Sequence, residues 1–248
     1  MLNVEVAVIN SSTALTDAQV QAVIPALQTQ VHRDFAPVWG VDANLTFVGQ
    51  GGTPAAGSWW LSILDDSNQA GEMGVHDLTS EGLPLGKVFA GSDIQAGNQW
   101  TVTASHELLE LLADPDVNLC AYFQKDDGST LFYAYEICDA CEADQFGYAV
   151  NGTQVSDFVF PAWFEGFRQP GSTQFDFQSK IQQPFQLLTG GYISSLNPAN
   201  SNGWTQAVSQ EEDRSYVMRA PVGSRRERRR IPRREWLRSK LRVPKPAE

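Results

Sequence analysis

The apolar residues of this chain follow two rhythms, and the change comes at Pro115. Before it, short continuous runs of β-branched and aromatic residues alternate with stretches of three-to-four-residue period, the signature of strands alternating with helices. VEVAVIN (4–10) reads as a buried strand. Thr16 and Asp17 then cap a run in which Val20, Val23, Leu27, Val31 and Phe35 share one helical face, with Pro25 inside it as a point of kinking. NLTFVG (44–49), SWWLSIL (58–64) and KVFAG (87–91) are the next strands, the first two separated by the Gly/Pro-rich turn QGGTPAAG. NQWTVTASHELLELLAD (98–114) is predicted as a helix that stops at Asp114, because a residue before Pro avoids the helical region.

Past Pro115 the pattern shortens to strands and turns. YAVNGTQV (148–155) carries Asn151-Gly152 between apolar alternations, a strong hairpin signal. DFVFPAWF (157–164) reads as a further apolar strand, and QFDFQSKIQQPFQLL (174–188) fits no single period. The expected fold class is therefore α+β. An α/β N-terminal lobe (about 1–114) would hold a mixed twisted sheet and two main helices; a smaller, irregular, β-rich C-terminal lobe (about 115–213) would complete one body of residues 1–213. A basic tail, 214–248, follows. It is expected to be disordered, or to form a short amphipathic helix around Trp236, Leu237 and Leu241.

The 98–114 helix carries the chemistry. Thr103, His106, Glu107, Glu110 and Asp114 form one narrow polar stripe between apolar flanks, which suits a helix that is mostly buried with the stripe facing a site. His106 and Glu110 stand four apart and project from successive turns toward one point, where both could ligate a metal ion. Glu107 lies beside that point and could polarise a water there. The plain alternative is an ordinary i,i+4 pair on a solvated face.

TASHELLELLADP resembles the active-site helix of the zincin metallopeptidases, whose HExxH motif supplies two His ligands and a Glu general base. The order strand, helix, strands, motif helix is similar too, and the resemblance covers about residues 1–142. The second motif His is Glu110 here, giving HExxE. The resemblance implies a zincin-like fold and a metal-dependent peptidase acting on a peptide or protein, with Glu107 as the catalytic base. In that family the strand before the helix is an edge strand that holds substrate extended, and KVFAG is placed to serve. The metal ligands would be His106, Glu110 and a downstream carboxylate from YEICDACEAD (135–144). Glu136 is favoured there; Asp139 would hold His106 in one tautomer, or serve as the alternative ligand. Tyr133 and Tyr135 are near enough in sequence to stabilise an oxyanion. Zn2+ is the expected ion, with Mn2+ or Fe2+ possible in so oxygen-rich a site. The alternative function is a non-catalytic binding or structural module of the same fold, its basic tail docking on an acidic partner.

Composition changes this picture at the margins. Residues 1–213 hold 26 Asp and Glu against 5 Lys and Arg, a net of −21, whereas 214–248 hold 13 Lys and Arg against 3 Glu, a net of +10. The acidic body should repel nucleic acid; the tail could dock on that body, on an acidic partner or on nucleic acid. Cys120, Cys138 and Cys141 make no disulfide framework, and buried thiols or a CxxC disulfide are expected ahead of a zinc–thiolate site completed by His106. His32 is read as the polar end of the first helix and His76, in GVHDLTSEG, as a loop residue; either could substitute as third ligand. With no transmembrane stretch and no signal-like start in MLNVEVAVINSS, the expected location is cytoplasmic, or outside the cell by a route without an N-terminal signal peptide.

Overall fold

Strand β1 (Leu2–Asn10) buries Val6, Ala7 and Val8 completely. It is the middle of a parallel trio, flanked by β2 (Val41–Val48) and β3 (Trp59–Leu64), so it has protein on every side. Parallel neighbours need a crossover, which helix α1 (Asp17–Thr29), a π-helical stretch (Gln30–Phe35) and the short α2 (Ala36–Trp39) provide. Thr16 caps α1 in a capping box with Gln19, and the helix runs through Pro25. The expected apolar face is the buried one: Val20, Leu27, Val31 and Phe35 are 0 % exposed.

The computed structural model describes residues 2–66, 73–125, 127–200 and 203–209, and the backbone of 216–219. The boundary near 213 and nearly all of the basic tail lie outside the described residues. Within them the fold is mixed α+β. Strands β4 (Gly74–Leu78) and β5 (Pro84–Phe89) complete the first sheet in the order β2-β1-β3-β5-β4, with β4 antiparallel at the edge. Two expectations change here. KVFAG is not the edge strand: its strand, β5, is interior, and Ala90 and Gly91 already belong to helix α3 (Ala90–Ala96). His76 is not in a loop but on the edge strand β4.

Helix α4 (Trp100–Ala113) is the predicted motif helix, and only Trp100, Thr103 and Ala113 among its residues are not buried. One side packs on β3, β4 and β5, and the other on a hairpin from the second half of the chain. That half contains β6 (Cys120–Gln124), β7 (Thr130–Ala134), the hairpin strands β8 (Tyr148–Val150) and β9 (Thr153–Val155), then β10 (Tyr192–Leu196), β11 (Trp204–Ser209) and β12 (Tyr216–Arg219). Five of them form an antiparallel sheet, β12-β11-β10-β7-β6. The β8–β9 turn is at the predicted Asn151-Gly152, whose φ of 50° and 82° are the positive values a type I′ turn requires. Residues 157–164 do not form the expected strand. Val159 makes one isolated bridge to Asp176, and Pro161, which has no N–H to give a ladder, starts a 3-10 turn to Phe164. Among the described residues no helix is long and apolar enough to cross a membrane.

A buried polar network joins the halves. Ser105 of α4 donates to Gln30 Oε1 (2.6 Å), Gln30 Nε2 donates to the Ser156 carbonyl (2.8 Å), and Ser156 N–H donates back to Ser105 Oγ (3.0 Å). Tyr148 adds a donation to Asp34 (2.9 Å). Around it, Phe35 packs edge-on to Phe158, and Trp39 donates to the Val159 carbonyl.

A second buried pair lies in this half. Burial, then a hydrogen bond and charge repulsion from Asp176, push the Asp157 carboxyl up to about 9. Asp157 is thus protonated at neutral pH, above the roughly 3.9 expected of an unfolded Asp. A raised folded pKa contributes stability that is fully present below the unfolded value and is lost as pH rises through the folded one. Thermal unfolding between pH 5 and 9 should show this loss, by up to about 1.4 kcal/mol per pH unit. Asp157→Asn, a neutral donor to Asp176, should flatten it. Equal slopes for the two proteins would show that the pair does not share a proton.

Candidate metal centre

Three segments bring titratable side chains to one place. Helix α4 supplies His106, Glu107 and Glu110 from two adjacent turns. Strand β4 supplies His76, on the same face as Gly74 because strand side chains alternate. The segment after β7 supplies Glu136, and the 3-10 turn Asp139–Cys141 supplies Asp139. His76 Nδ1 lies 3.4 Å from Glu110 Oε2 and 3.6 Å from Glu107 Oε2, while its Nε2 lies 3.6 Å from Glu136 Oε2. His106 Nε2 lies 3.4 Å from both Glu110 Oε2 and Asp139 Oδ1. Ligand bonds of about 2.0–2.1 Å in a tetrahedron put neighbouring donors roughly 3.3–3.4 Å apart. The two contacts at His106 Nε2 have that separation, whereas at His76 Glu110 and Glu107 face Nδ1 and Glu136 faces Nε2, on the other side of the ring.

The donors form two sets that meet at Glu110: His76, Glu110 and Glu136 in one, His106, Glu107 and Glu110 in the other. All are buried, the most exposed being His106 at 9 %. Glu110 is held by its other oxygen, Oε1, which accepts from Cys138 N–H at 3.2 Å. Burial disfavours the His106 imidazolium, but Glu110, then Cys138 and Glu107, outweigh it and hold the pKa well above the usual histidine value. Tyr192 of β10 faces the same charges: desolvation, then Glu142, Glu110, Glu136 and Glu107, push its hydroxyl up.

The structure gathers the predicted residues unevenly. His106, Glu107 and Glu110 come together as the helix spacing requires, and the solvated i,i+4 pair is excluded by their burial. Glu136 joins Glu110 through His76 rather than through His106. Asp139 approaches His106 at Nε2, the nitrogen that also faces Glu110, which is the position of a co-ligand and not of a group orienting the ring from behind. Tyr133 and Tyr135 pack as aromatic rings instead, against Phe185 and Phe164 at 4.5 Å each. His32 is turned to Gln28 and Asp42. The three cysteines are free thiols, Cys120 exposed and the others buried, and neither donor set contains a sulfur. Sequence reasoning undervalued His76 and missed Tyr192; the Val75–Asp77 triplet VHD offers too little alternation to mark a strand.

Glu107 reaches its place because Gly74 and Gly86 leave room under the helix. A Cβ built on Gly74 would stand 2.4 Å from Glu107 Oε1 and 2.6 Å from its Cγ. Gly74→Ala should therefore displace Glu107 and destabilise the protein by about 1–3 kcal/mol, as overpacking does. Urea denaturation checks this; an unchanged midpoint would mean that Glu107 swings aside at no cost. No protein-family model, no curated protein and no solved structure matches this chain.

Proposed function

We propose that this chain is a zincin-like, metal-dependent peptidase whose motif helix has the form HExxE. The observation that carries the reading is the position of Glu107: a buried carboxylate in one donor set with His106 and Glu110, at the point where a divalent cation would sit. The donor set fits such an ion in chemistry as well as spacing, since imidazole nitrogen and carboxylate oxygen are both zinc ligands, and manganese or iron suits the oxygen-rich mix. His106 and Glu110 would hold it, with Asp139, which faces the same nitrogen of His106, as third ligand; Glu136 meets Glu110 through His76 instead. When bound, the cation supplies Lewis acidity toward a substrate carbonyl and an attacking water.

The chain's own groups would do the rest. Glu107 takes the proton of the attacking water and returns it to the leaving amine. His106 is fixed for its task by α4, and the Ser105–Gln30–Ser156 bonds set that helix's rotation one residue earlier. A peptide substrate is favoured by β4: it is the edge of its sheet, it carries His76, and an extended peptide can add to an edge strand through main-chain hydrogen bonds.

One observation favours the second reading, a non-catalytic module. The cluster is nearly sealed, with Glu107, Glu110 and Glu136 each at 5 % exposure or less. A metal held there for structure alone would need no access.

The test is metal content by mass spectrometry on protein purified without added metal, followed by hydrolysis of a fluorogenic peptide library. We expect at least one equivalent of divalent metal, lost in Glu110→Ala. Peptide cleavage should be stopped by a chelator and lowered roughly 10²–10⁴-fold by Glu107→Gln with the metal retained. Metal bound without cleavage would leave the structural module. No metal after equilibration with zinc and manganese would end the metal reading altogether.

A further inference from the structure

We infer that the basic tail docks back on its own body, seating Trp236, Leu237 and Leu241 on an apolar row that crosses one face of the second sheet. Cross-strand partners share a face, so register alone defines the row. Tyr122 pairs with Phe132, Phe132 with Leu196, and Leu196 with Trp204, across β6, β7, β10 and β11. At the β6 end the row is open: Tyr122 is 59 % exposed although its ring meets Phe132 edge-on, and Phe132 and Leu196 are half-buried. Trp204, at the β11 end, is buried. A contiguous apolar row, open at one end, is the kind of surface that another chain segment covers.

Position, reach and chemistry name the occupant. β12 is the opposite edge of the same five-stranded sheet, with Arg219 beside Gln206 of β11, so the chain passes out of the described residues on this sheet. Strands lie about 4.8 Å apart, and the four steps from β12 to β6 span roughly 19 Å. Trp236 follows Arg219 by 17 residues. A flexible chain of that length has a root-mean-square span of roughly 21–25 Å, lengthened by like charges. A linker matched to its span gives the highest effective concentration, about 1 mM when short and flexible.

The tail carries +10 against −21 over residues 1–213, so docking relieves repulsion within each. Its Trp236, Leu237 and Leu241 stand together in RREWLRSKLR, with basic residues on both sides. The apolar three match the row. The flanking arginines match Asp116 and Asp127, both exposed, one before β6 and one after it. Nothing in this docking depends on a bound metal.

Cys120 is a built-in reporter. It is exposed and two residues from Tyr122, hence on the same face, whereas Cys138 and Cys141 are buried. The experiment follows by mass spectrometry how fast a bulky, neutral maleimide modifies Cys120 in the full chain, freed of nucleic acid, at low ionic strength. The comparison is a triple variant, Trp236→Ser, Leu237→Ser and Leu241→Ser, which keeps every charge of the tail. A segment held at about 1 mM with an affinity near ~0.1 mM is docked roughly nine-tenths of the time, so the wild type should react about tenfold more slowly than the variant. The gap should narrow as salt screens the attraction, and it should not change with protein concentration. Equal rates in the two proteins would overturn the inference. Protection that survives the triple substitution and vanishes only in salt would also overturn it, since charge alone would then hold the tail. A gap that disappears on dilution would overturn it as well, giving the row to the tail of a second copy. If the triple variant misfolds, as judged by circular dichroism, Trp236→Ala and the wild-type salt and dilution series decide.

Discussion

Four carboxylates and two imidazoles buried together set the terms for the rest of this molecule. Removing a charge from water costs several kcal/mol per ion even after the protein relaxes. Four uncompensated carboxylates would thus equal or exceed the roughly 5–15 kcal/mol by which a whole domain is stable. Counter-charge has to come from somewhere. Residues 1–213 hold only five Lys and Arg against 26 Asp and Glu, and the two imidazoles of the cluster face its carboxylates at 3.4–3.6 Å. A proton on His106, whose pKa Glu110 and its neighbours hold well above the usual histidine value against the cost of burial, supplies part of it.

The fold serves that cluster by drawing on parts distant in sequence. Helix α4 can lie so low on the first sheet because Gly74 and Gly86 present no side chain beneath it. Its rotation is fixed by Ser105, bonded to Gln30 of the π-helical stretch, with Ser156 closing the circuit from the second half. The wider π-helical turn is where Gln30 and Asp34 both point to Tyr148. The second half therefore contributes more than cover. It brings Glu136 and Asp139, and β10 lays Tyr192 among the same charges.

Much of this was legible in the sequence where one period dominates. The motif helix, the face of α1 from Val20 to Phe35, the strand β1 and the Asn151-Gly152 turn each show a local pattern with a single physical meaning. The edge strand was not legible, because β4 has Val75 on one face and Gly74 and His76 on the other, so nothing alternates between oil and water. Its identity comes from pairing with β5, a non-local fact. The same holds for 157–164, apolar enough for a strand but needed as irregular cover over an aromatic core, with Pro161 forbidding a ladder. At the site, helix spacing gave His106, Glu107 and Glu110. It could not give which nitrogen of His106 Asp139 would approach, and that detail puts Asp139 on the side of the ring that faces Glu110 rather than behind it.

A glutamate rather than a histidine at position 110 also makes sense at this level. A histidine at 110 would offer one ring nitrogen to the site and spend the other elsewhere. Glu110 offers two oxygens on one carbon, and the structure uses both: Oε1 accepts from the Cys138 backbone, and Oε2 faces His76 and His106 together. The backbone bond fixes the carboxylate to the segment that carries Glu136 and Asp139, so the side chains from α4 and those from the second half are registered by one hydrogen bond. An imidazole could not take a bond from Cys138 N–H and still face both histidines. The glutamate is thus matched to a cluster assembled from both sides of the helix.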